Sequence, residues 1–273
     1  MKRKAIAADT LKIIKQGYFI NPDGETISVK KEQTYAENNT RLYTPEGSDQ
    51  LIKELQVRPY GGGKTAIIVN RETTMDAARQ LIYAGARHVL CLNFASAKNP
   101  GGGFLGGAQA QEESIARATG LYPCLLRART YYEVHRKMKS CMYTDHMIYS
   151  PAVPIFKDEN GANLHRLDCT AVITSPAVNA GVVLQREPEN IARIEPTMRR
   201  RIEKVLAIAL ANDHRIIVLG AWGCGVFRNN PDDMARYFRG VIDAKFDNAF
   251  EKIVFAIYAR NDRFVTPFIR EFG

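Results

Sequence analysis

The sequence predicts an α/β fold in which a mixed, mostly parallel central sheet is sandwiched by helices. From residue 65 onward, short apolar strand runs alternate with amphipathic helical segments, the order typical of parallel sheets. Two glycine-rich loops each follow directly after such a strand run. The 273 residues, 45% hydrophobic and 25% charged, suffice for one large α/β domain with a smaller N-terminal part.

The N-terminal part, residues 1–63, is predicted to form a small appendage of a helix and a hairpin. This appendage packs on a larger domain of residues 64–273. Asp9 is placed to cap the helix and Gly17 to end it. The turn sequence Asn-Pro-Asp-Gly between two short apolar runs predicts the hairpin. The polar stretch that follows, residues 30–63, has weak periodicity, and its end at residues 58–63 resembles a connection.

The larger domain is predicted to begin with a buried strand at Ala66–Val69. Thr73 or Thr74 is placed to cap the first helix, and Gly85 follows its end. Apolar periodicity and the flanking residues predict the elements beyond it. Further strands are predicted at residues 88–94, 147–149, 170–174, 215–219 and 252–258, and further helices after Gln111, at 121–139, from Pro196 to Leu210 and from Asn230.

Charge and cysteine usage narrow the function classes. The formal net charge of +9 favours a polyanionic partner, although the basic residues are spread out and also serve solubility. The run Arg199–Arg201 is interpreted as a solvated helix face. Five widely spaced cysteines without a C-x-x-C pair argue against a disulfide framework and a zinc site, so we expect neither metal nor cofactor. Lacking a signal-peptide core or an 18-residue apolar run, the chain is expected to be a cytoplasmic protein without membrane association, and a monomer.

The stretch that begins at Asn99 is the strongest candidate for an active site. Five glycines and no β-branched residue lie between Asn99 and Ala108, and two adjacent carboxylates, Glu112 and Glu113, open the following helical pattern. Main chain without side chains can approach a ligand closely, and amides at a helix start can bind an anion. A carboxylate nearby can then transfer a proton to or from that ligand.

A second glycine loop follows the predicted strand at 215–219. Gly223 and Gly225 flank Cys224, so the main chain can face a ligand at two points, and Phe227 follows as an apolar plate or as a core residue. Because loops after parallel strands leave the same edge of a sheet, both glycine loops are predicted at one cleft. A third glycine run, residues 61–65, lacks the earlier glycine and the following helix of a nucleoside-triphosphate loop and predicts a linker turn.

The tri-glycine Gly101–Gly103, followed after seven residues by Gln111–Glu113, resembles the signature of the poly(ADP-ribose) glycohydrolases. The compact bacterial-type branch, a macrodomain with a short N-terminal addition, is the best match. Residues 92–100 resemble that family's approach to the glycines, and residues 220–227 resemble its diphosphate loop. The resemblance covers most of the chain and implies a macrodomain-like fold. It also implies hydrolysis of the ribose–ribose O-glycosidic bonds of poly(ADP-ribose), without a metal.

The resemblance implies a role for each candidate residue. Glu113 would be the catalytic acid, and Glu112 would orient the ribose. Residues 264–273 would close over the terminal adenosine. Substrate binding would fall on Asn99, Gly101, Gly102, Gly103, Gln111, Gly223, Cys224, Gly225, Val226 and Phe227.

The sequence leaves two alternatives to polymer hydrolysis open. One is a non-catalytic ADP-ribose-binding macrodomain, against which the Gln-Glu-Glu run argues because binding alone needs no acid. The other is a hydrolase that removes single ADP-ribose groups from a protein or nucleic acid. The expected partners are therefore poly(ADP-ribose) or ADP-ribose, with an ADP-ribosylated protein or nucleic acid as a further candidate.

Overall fold

The computed structural model describes residues 2–273, and it has the predicted α/β architecture around a seven-stranded sheet. The strands are β1 (Tyr18–Ile20), β2 (Thr26–Ser28), β3 (Arg41–Tyr43), β4 (Ala66–Asn70), β5 (Val89–Phe94), β6 (Met147–Lys157), β7 (Asn163–Ser175), β8 (Ile216–Leu219) and β9 (Lys252–Ala256). The helices are α1 (Arg3–Gln16), α2 (Lys30–Asn38), α3 (Pro45–Glu54), α4 (Thr74–Tyr83), α5 (Gln111–Ala118), α6 (Leu121–Arg127), α7 (Arg129–Lys137), α8 (Ala180–Arg186), α9 (Ile194–Ala211), α10 (Pro231–Lys245) and α11 (Thr266–Phe272). Three 3₁₀ helices lie at Phe104–Gly106, Pro188–Arg193 and Asp262–Phe264.

The strand order of the main sheet is β3-β6-β7-β5-β8-β9-β4. Strand β6 is antiparallel to both of its neighbours, and the four remaining pairs of neighbours are parallel. The sheet is therefore mixed and mostly parallel, as predicted. The central strands β5 and β8 are buried almost throughout, which explains why both read as continuous apolar runs.

Helices cover both faces of this sheet, as the alternating pattern predicts. Along β5, Leu90 and Leu92 pack into one apolar cluster together with residues of α9, α10 and α11. Val89 and Cys91 point to the opposite face and pack with residues of α4, α6 and α7. The period-two alternation of a strand thus supplies both halves of the core. Within residues 2–273, no helix has the length and apolar character that crossing a membrane requires.

The N-terminal part differs from its prediction in two respects. Helix α1 begins at Arg3, not at Asp9, since the Lys- and Ala-rich residues before Asp9 are good helix formers. Asp9 instead lies within the helix, where its Oδ2 is 2.6 Å from the Nζ of the buried Lys157. Gly17 ends the helix with a φ of +82°, and β1 and β2 form the hairpin, both as predicted.

Residues 58–63 form a connection without helix or strand, as predicted, but residues 30–54 have more structure than their weak periodicity indicates. They contain α2, β3 and α3, and β3 pairs with β6 as an edge strand of the main sheet. These elements are short, and their stability comes from packing on the rest of the chain, which local periodicity does not reveal. The N-terminal part therefore contributes to the sheet itself. The division at residue 63 stays a prediction.

Further differences concern element boundaries. The helix predicted at 121–139 is interrupted at Ala128, which separates α6 from α7. Strand β4 is a half-exposed edge strand, not a buried one, because it pairs only with β9. Helix α9 begins before Pro196, which occupies its third position. Strands β6 and β7 extend far beyond the predicted runs because they pair along their length as an antiparallel ribbon. Helices α8 and α11 were not predicted.

Candidate active site

The two glycine loops lie on either side of one cavity. They follow β5 and β8, which are neighbouring parallel strands, so both leave the same edge of the sheet. The cavity between them has a volume of about 520 Å³. The predicted site residues that line it are Asn99, Gly102, Gly103, Gln111, Glu112, Glu113, Gly223, Gly225, Val226 and Phe227. Gly101 and Cys224 are the two predicted residues that do not.

Glu113 lies in the first turn of α5 with one carboxylate oxygen held and the other unengaged. Its Oε1 accepts a hydrogen bond of 2.9 Å from the Gly103 amide. Its Oε2 is buried and has no hydrogen-bond partner in the part of the chain that the structure describes. A buried carboxylate oxygen without a partner is costly in a folded protein and is typical of a functional site. Glu113 can therefore exchange a proton with a ligand in the cavity.

Glu112 lies deeper than Glu113, with both of its carboxylate oxygens hydrogen-bonded. Its Oε2 accepts from the Ser96 amide at 2.7 Å, and its Oε1 accepts from Asn93 Nδ2 at 3.3 Å. Burial raises the pKa of Glu112 to about 8, an effect that these two hydrogen bonds oppose and that Glu113 reinforces. Glu112 is thus a rigidly held side chain at the inner wall, suited to orienting a ligand hydroxyl.

The tri-glycine segment passes directly over both carboxylates. Gly101 and Gly102 have φ values of +67° and +59°, in the left-handed region that favours glycine. A Cβ on Gly102 would lie 2.3 Å from Glu113 Oε1. The Gly102 amide donates to the Asn99 carbonyl at 3.0 Å, and the Gly103 amide donates to Glu113. Two of these three amides are therefore engaged within the protein, and the binding role inferred for them stays a prediction.

Gln111 joins the start of α5 to two neighbouring elements. Its Nε2 donates to the Leu92 carbonyl at 2.7 Å and to Thr74 Oγ1 at 3.0 Å. Its Oε1 accepts from the Phe94 amide at 2.8 Å. Both donor hydrogens of the side chain are thus used inside the protein. These hydrogen bonds fix the position of the start of α5 and therefore of the two glutamates that follow Gln111. Binding of substrate by Gln111 stays a prediction.

The second loop presents a row of unengaged amides. In residues 2–273, the N–H groups of Gly223, Gly225, Val226 and Phe227 have no protein acceptor. Successive main-chain N–H groups in such a turn form a concave anion site. Asn229 shapes the loop, since its Nδ2 donates to the carbonyls of Val178 and Gly223 at 2.7 and 3.2 Å.

The side chain of Cys224 points away from the cavity. It is 4% exposed and packs in the core, and burial raises the pKa of its thiol. The main-chain N–H of Cys224 donates to the Ala221 carbonyl at 3.1 Å, so the binding of substrate by Cys224 stays a prediction. The same loop ends in Phe227, which is partly buried and whose ring centroid lies 6.0 Å from that of Tyr143.

Sequence reasoning missed Tyr143 and the ion cluster that supports it. Arg201 donates to the carbonyls of Met142 and Tyr143 at 2.6 and 3.0 Å, and its Nε lies 2.9 Å from Asp145. Arg201 is fully buried, so the interpretation of residues 199–201 as a solvated face is wrong for it. The only signal in the sequence was an arginine at an apolar helical position beside Ile202.

A second cavity of about 530 Å³ continues the first. The residues that border both are Phe94, Gln109, Ala110, Gln111, Ala221 and Gly225. Tyr258 and Phe264 contribute aromatic rings to the second cavity, and Glu112 and Glu113 border only the first. The cleft is thus elongated, with the carboxylates at one end and aromatic rings at the other. Within residues 2–273, no cluster of three or more His, Cys, Asp or Glu side chains could bind a metal ion.

Comparison with known proteins adds independent evidence. Residues 7–158 match the family model described as microbial-type PARG, catalytic domain, where PARG stands for poly(ADP-ribose) glycohydrolase. No curated protein gives a significant match.

The chain is also similar to solved structures of these enzymes. It is 41% identical to poly(ADP-ribose) glycohydrolase from Thermomonospora curvata, over 99% of both chains and with a TM-score of 0.94. That enzyme bound to the inhibitor ADP-HPD matches at 40% identity over 99% of both chains, with a TM-score of 0.92. The enzyme from Deinococcus radiodurans in complex with ADP-ribose matches at 46% identity over 88% of this chain and 96% of that one, with a TM-score of 0.83. On the family match and these similarities, the chain belongs to the microbial-type poly(ADP-ribose) glycohydrolases.

Proposed function

We propose that this chain hydrolyses the ribose–ribose O-glycosidic bonds of poly(ADP-ribose) and releases ADP-ribose, with Glu113 as the general acid. Membership of the family supports the reaction and its substrate. One observation carries the assignment of roles: a single cavity is lined both by Glu113, one of whose oxygens has no protein partner, and by the loop with the unengaged amides of Gly223, Gly225, Val226 and Phe227. An acid and an anion site are what cleavage next to a diphosphate requires.

The elongated cleft suggests how the terminal ADP-ribose unit binds. Its diphosphate accepts hydrogen bonds from the unengaged amides of Gly223, Gly225, Val226 and Phe227. Its distal ribose then lies between Asn99 and Phe227, beside the two glutamates that line the same cavity. The adenosine extends into the second cavity, toward Tyr258 and Phe264. This arrangement is consistent with the closing role inferred for residues 264–273.

Glycosidic cleavage passes through a state with positive charge on the sugar. Glu113 protonates the oxygen that leaves with the remainder of the polymer, so the bond from that oxygen to the anomeric carbon breaks. The negative diphosphate stabilises the positive charge that develops on the ribose. Water then attacks the anomeric carbon, and the Glu113 carboxylate takes up the proton that the water releases. Glu112, held by Ser96 and Asn93, orients the ribose hydroxyls.

Glu112 and Glu113 do not act as a facing pair of nucleophile and acid. Neighbouring residues on a helix project about 100° apart. Their environments also differ, since both oxygens of Glu112 are hydrogen-bonded within the protein and one oxygen of Glu113 is not. The nucleophile is therefore a water molecule, not a second carboxylate.

The substitution Glu113→Gln tests the role of the acid. The amide oxygen of glutamine can still accept from Gly103, so the fold and the ADP-ribose affinity should be retained. Without a proton to donate, kcat on poly(ADP-ribose) should fall about 10²- to 10⁴-fold. Product release by chromatography and ADP-ribose binding by calorimetry measure the two effects. Hydrolysis by this variant at the wild-type rate would refute the assignment of Glu113, and a wild-type chain that binds ADP-ribose without cleaving polymer would refute the proposed reaction.

Three expectations from the sequence remain proposals about the chain in the cell. They are that it acts as a monomer, that it is cytoplasmic, and that its polymer is attached to a modified protein or nucleic acid. Comparison of ADP-ribose release from polymer and from a protein carrying a single ADP-ribose would establish which substrate it prefers.

A further inference from the structure

The elongated cleft defines where the remainder of the polymer must leave. Glu112, Glu113 and Asn99 line only the first cavity, and Tyr258 lines only the second. With the terminal adenosine in the second cavity, the bond to be cleaved lies at the Asn99 end. The next ADP-ribose unit, which carries its own diphosphate, therefore leaves the cleft past Asn99. This step rests on the proposed function.

Two basic side chains lie next to that exit. Lys98 directly precedes Asn99 and is exposed. Arg136, near the end of α7, is also exposed, and its Nε donates to the Lys98 carbonyl at 2.8 Å. The Arg136 guanidinium also lies over the Tyr132 ring, 6.0 Å from its centroid. The two residues are thus joined, and Arg136 is held in one orientation with its terminal N–H groups unengaged.

Neither cation is neutralised by the protein. Within residues 2–273, neither Lys98 nor Arg136 forms a salt bridge, whereas many of the chain's other cations do, among them Arg127 and Arg199. Arginine with unengaged terminal N–H groups can bind a phosphate through two parallel hydrogen bonds, and lysine adds a point charge.

The simpler explanation for Arg136 is that it complements the partial negative charge at the end of α7. That role needs only proximity to the last carbonyls of the helix. It does not account for the hydrogen bond to Lys98, which lies in a separate segment 38 residues away. The contact instead places the guanidinium at the border of the active-site loop.

We infer that Lys98 and Arg136 bind the diphosphate of the second ADP-ribose unit, the one that leaves with the polymer. The pair is then a contact site on the leaving-group side, distinct from the amides at residues 223–227 that bind the terminal diphosphate. Because exposed cations act through a screened charge, their contribution should depend on salt.

The double substitution Lys98→Gln and Arg136→Gln tests this site on two substrates. The first is poly(ADP-ribose). The second is ADP-ribose joined through its distal anomeric carbon to 4-nitrophenol, which has no second diphosphate. The matched control is the double substitution Lys31→Gln and Lys53→Gln, which removes the same net charge. Both lysines are exposed and lie on α2 and α3, outside both cavities.

The inference predicts that kcat/KM on polymer falls roughly fivefold, mainly through KM, while the nitrophenyl substrate is cleaved as by the wild type. The slope of log kcat/KM on polymer against log salt concentration should become less negative by roughly 1.5, since each of the two lost phosphate contacts contributes about 0.7–0.9. The control should change neither. Equal loss on both substrates, equal loss in the control, or an unchanged polymer rate and salt slope would each overturn the inference. The wild type's cleavage of both substrates tests the proposed function separately, so the two failures remain distinguishable.

Discussion

Gly102 illustrates how closely the main chain approaches the carboxylates of Glu112 and Glu113. Besides meeting Glu113 Oε1, an added Cβ at this position would lie 3.0 Å from Glu113 Cδ and 3.1 Å from Glu112 Oε2. The residue also has a left-handed backbone conformation. A side chain here would have to displace either the loop or the acid. Glycine at position 102 therefore lets the chain pass close to both glutamates.

Gly102→Ala should reduce kcat about 100-fold, because a displacement of the acid by about 1 Å is enough for such a loss. Backbone strain should lower the free energy of unfolding by about 1–2 kcal/mol. Gly106→Ala is the matched control, since nothing lies within 4 Å of its added Cβ. Steady-state kinetics and urea denaturation measure both variants. A Gly102→Ala enzyme with wild-type kcat would contradict the geometry.

At the residue scale, the sequence predicted which candidate residues lie close together. The spacing of the tri-glycine and the two glutamates predicted a carboxylate beside the glycine main chain, and Glu113 Oε1 lies 2.9 Å from the Gly103 amide. The sequence could not identify Tyr143 or Asn229. Their roles depend on contacts with Phe227 and Val178 that only the folded chain creates. Gln111 was found, but its three protein partners lie 17 to 37 residues away and were not predictable.

Helix α9 is joined to the site through a buried ion cluster. Arg201 and Lys204 are both fully buried and share the carboxylate of Asp145, at 2.9 and 3.3 Å. Arg201 also holds the carbonyl of Tyr143, whose ring packs on Phe227. The position of the Phe227 ring at the cavity therefore depends on the buried charges of Arg201, Lys204 and Asp145.

Asp145→Asn should lower the free energy of unfolding by about 3–5 kcal/mol, because it leaves two buried cations short of their shared anion. Asp243→Asn, which removes an exposed partner of Arg239, should change it by less than about 1 kcal/mol. Urea denaturation monitored by circular dichroism compares the two variants. Equal stability of both would mean that the cluster contributes no more than a surface pair.

At the element scale, the sequence predicted best where burial is continuous. The runs of β5 and β8 are apolar because they lie in the middle of a parallel sheet, and a glycine loop marks each end. The three-residue strand β3 carries no such signal, since it becomes a strand only by pairing with β6. Helix α6 and helix α7 were predicted as one because the break at Ala128 contains neither glycine nor proline.

Across the whole molecule, the N-terminal helix packs on the active-site loop. Ala7 of α1 shares an apolar cluster with Phe104 and Ala116. Thr10 Oγ1 donates to the Arg117 carbonyl at 2.5 Å, so α1 also holds the helix that carries both glutamates. Because of these contacts and of β3 in the main sheet, we expect the site to depend on the N-terminal part, although that part supplies none of the predicted site residues.

A chain reduced to residues 64–273 should therefore lose polymer hydrolysis and cooperative unfolding. It would expose the edge of β6 and the apolar surface under α1. Thermal unfolding and activity of the truncated chain measure this, with Thr10→Val in the full chain as a milder variant that should keep the fold. Cooperative unfolding of residues 64–273 with undiminished activity would mean that the first 63 residues are a dispensable appendage.

The loop at residues 223–227 presents main-chain N–H groups to the cavity. An exposed side chain of this loop can therefore be changed without removing those groups. Val226 is 79% exposed, and replacing its side chain leaves the N–H groups in place. Because Val226 also borders the cavity, a fluorescent dye attached at that position would lie beside the cleft. The molecule thus contains a ready attachment point for an optical sensor of its own ligand.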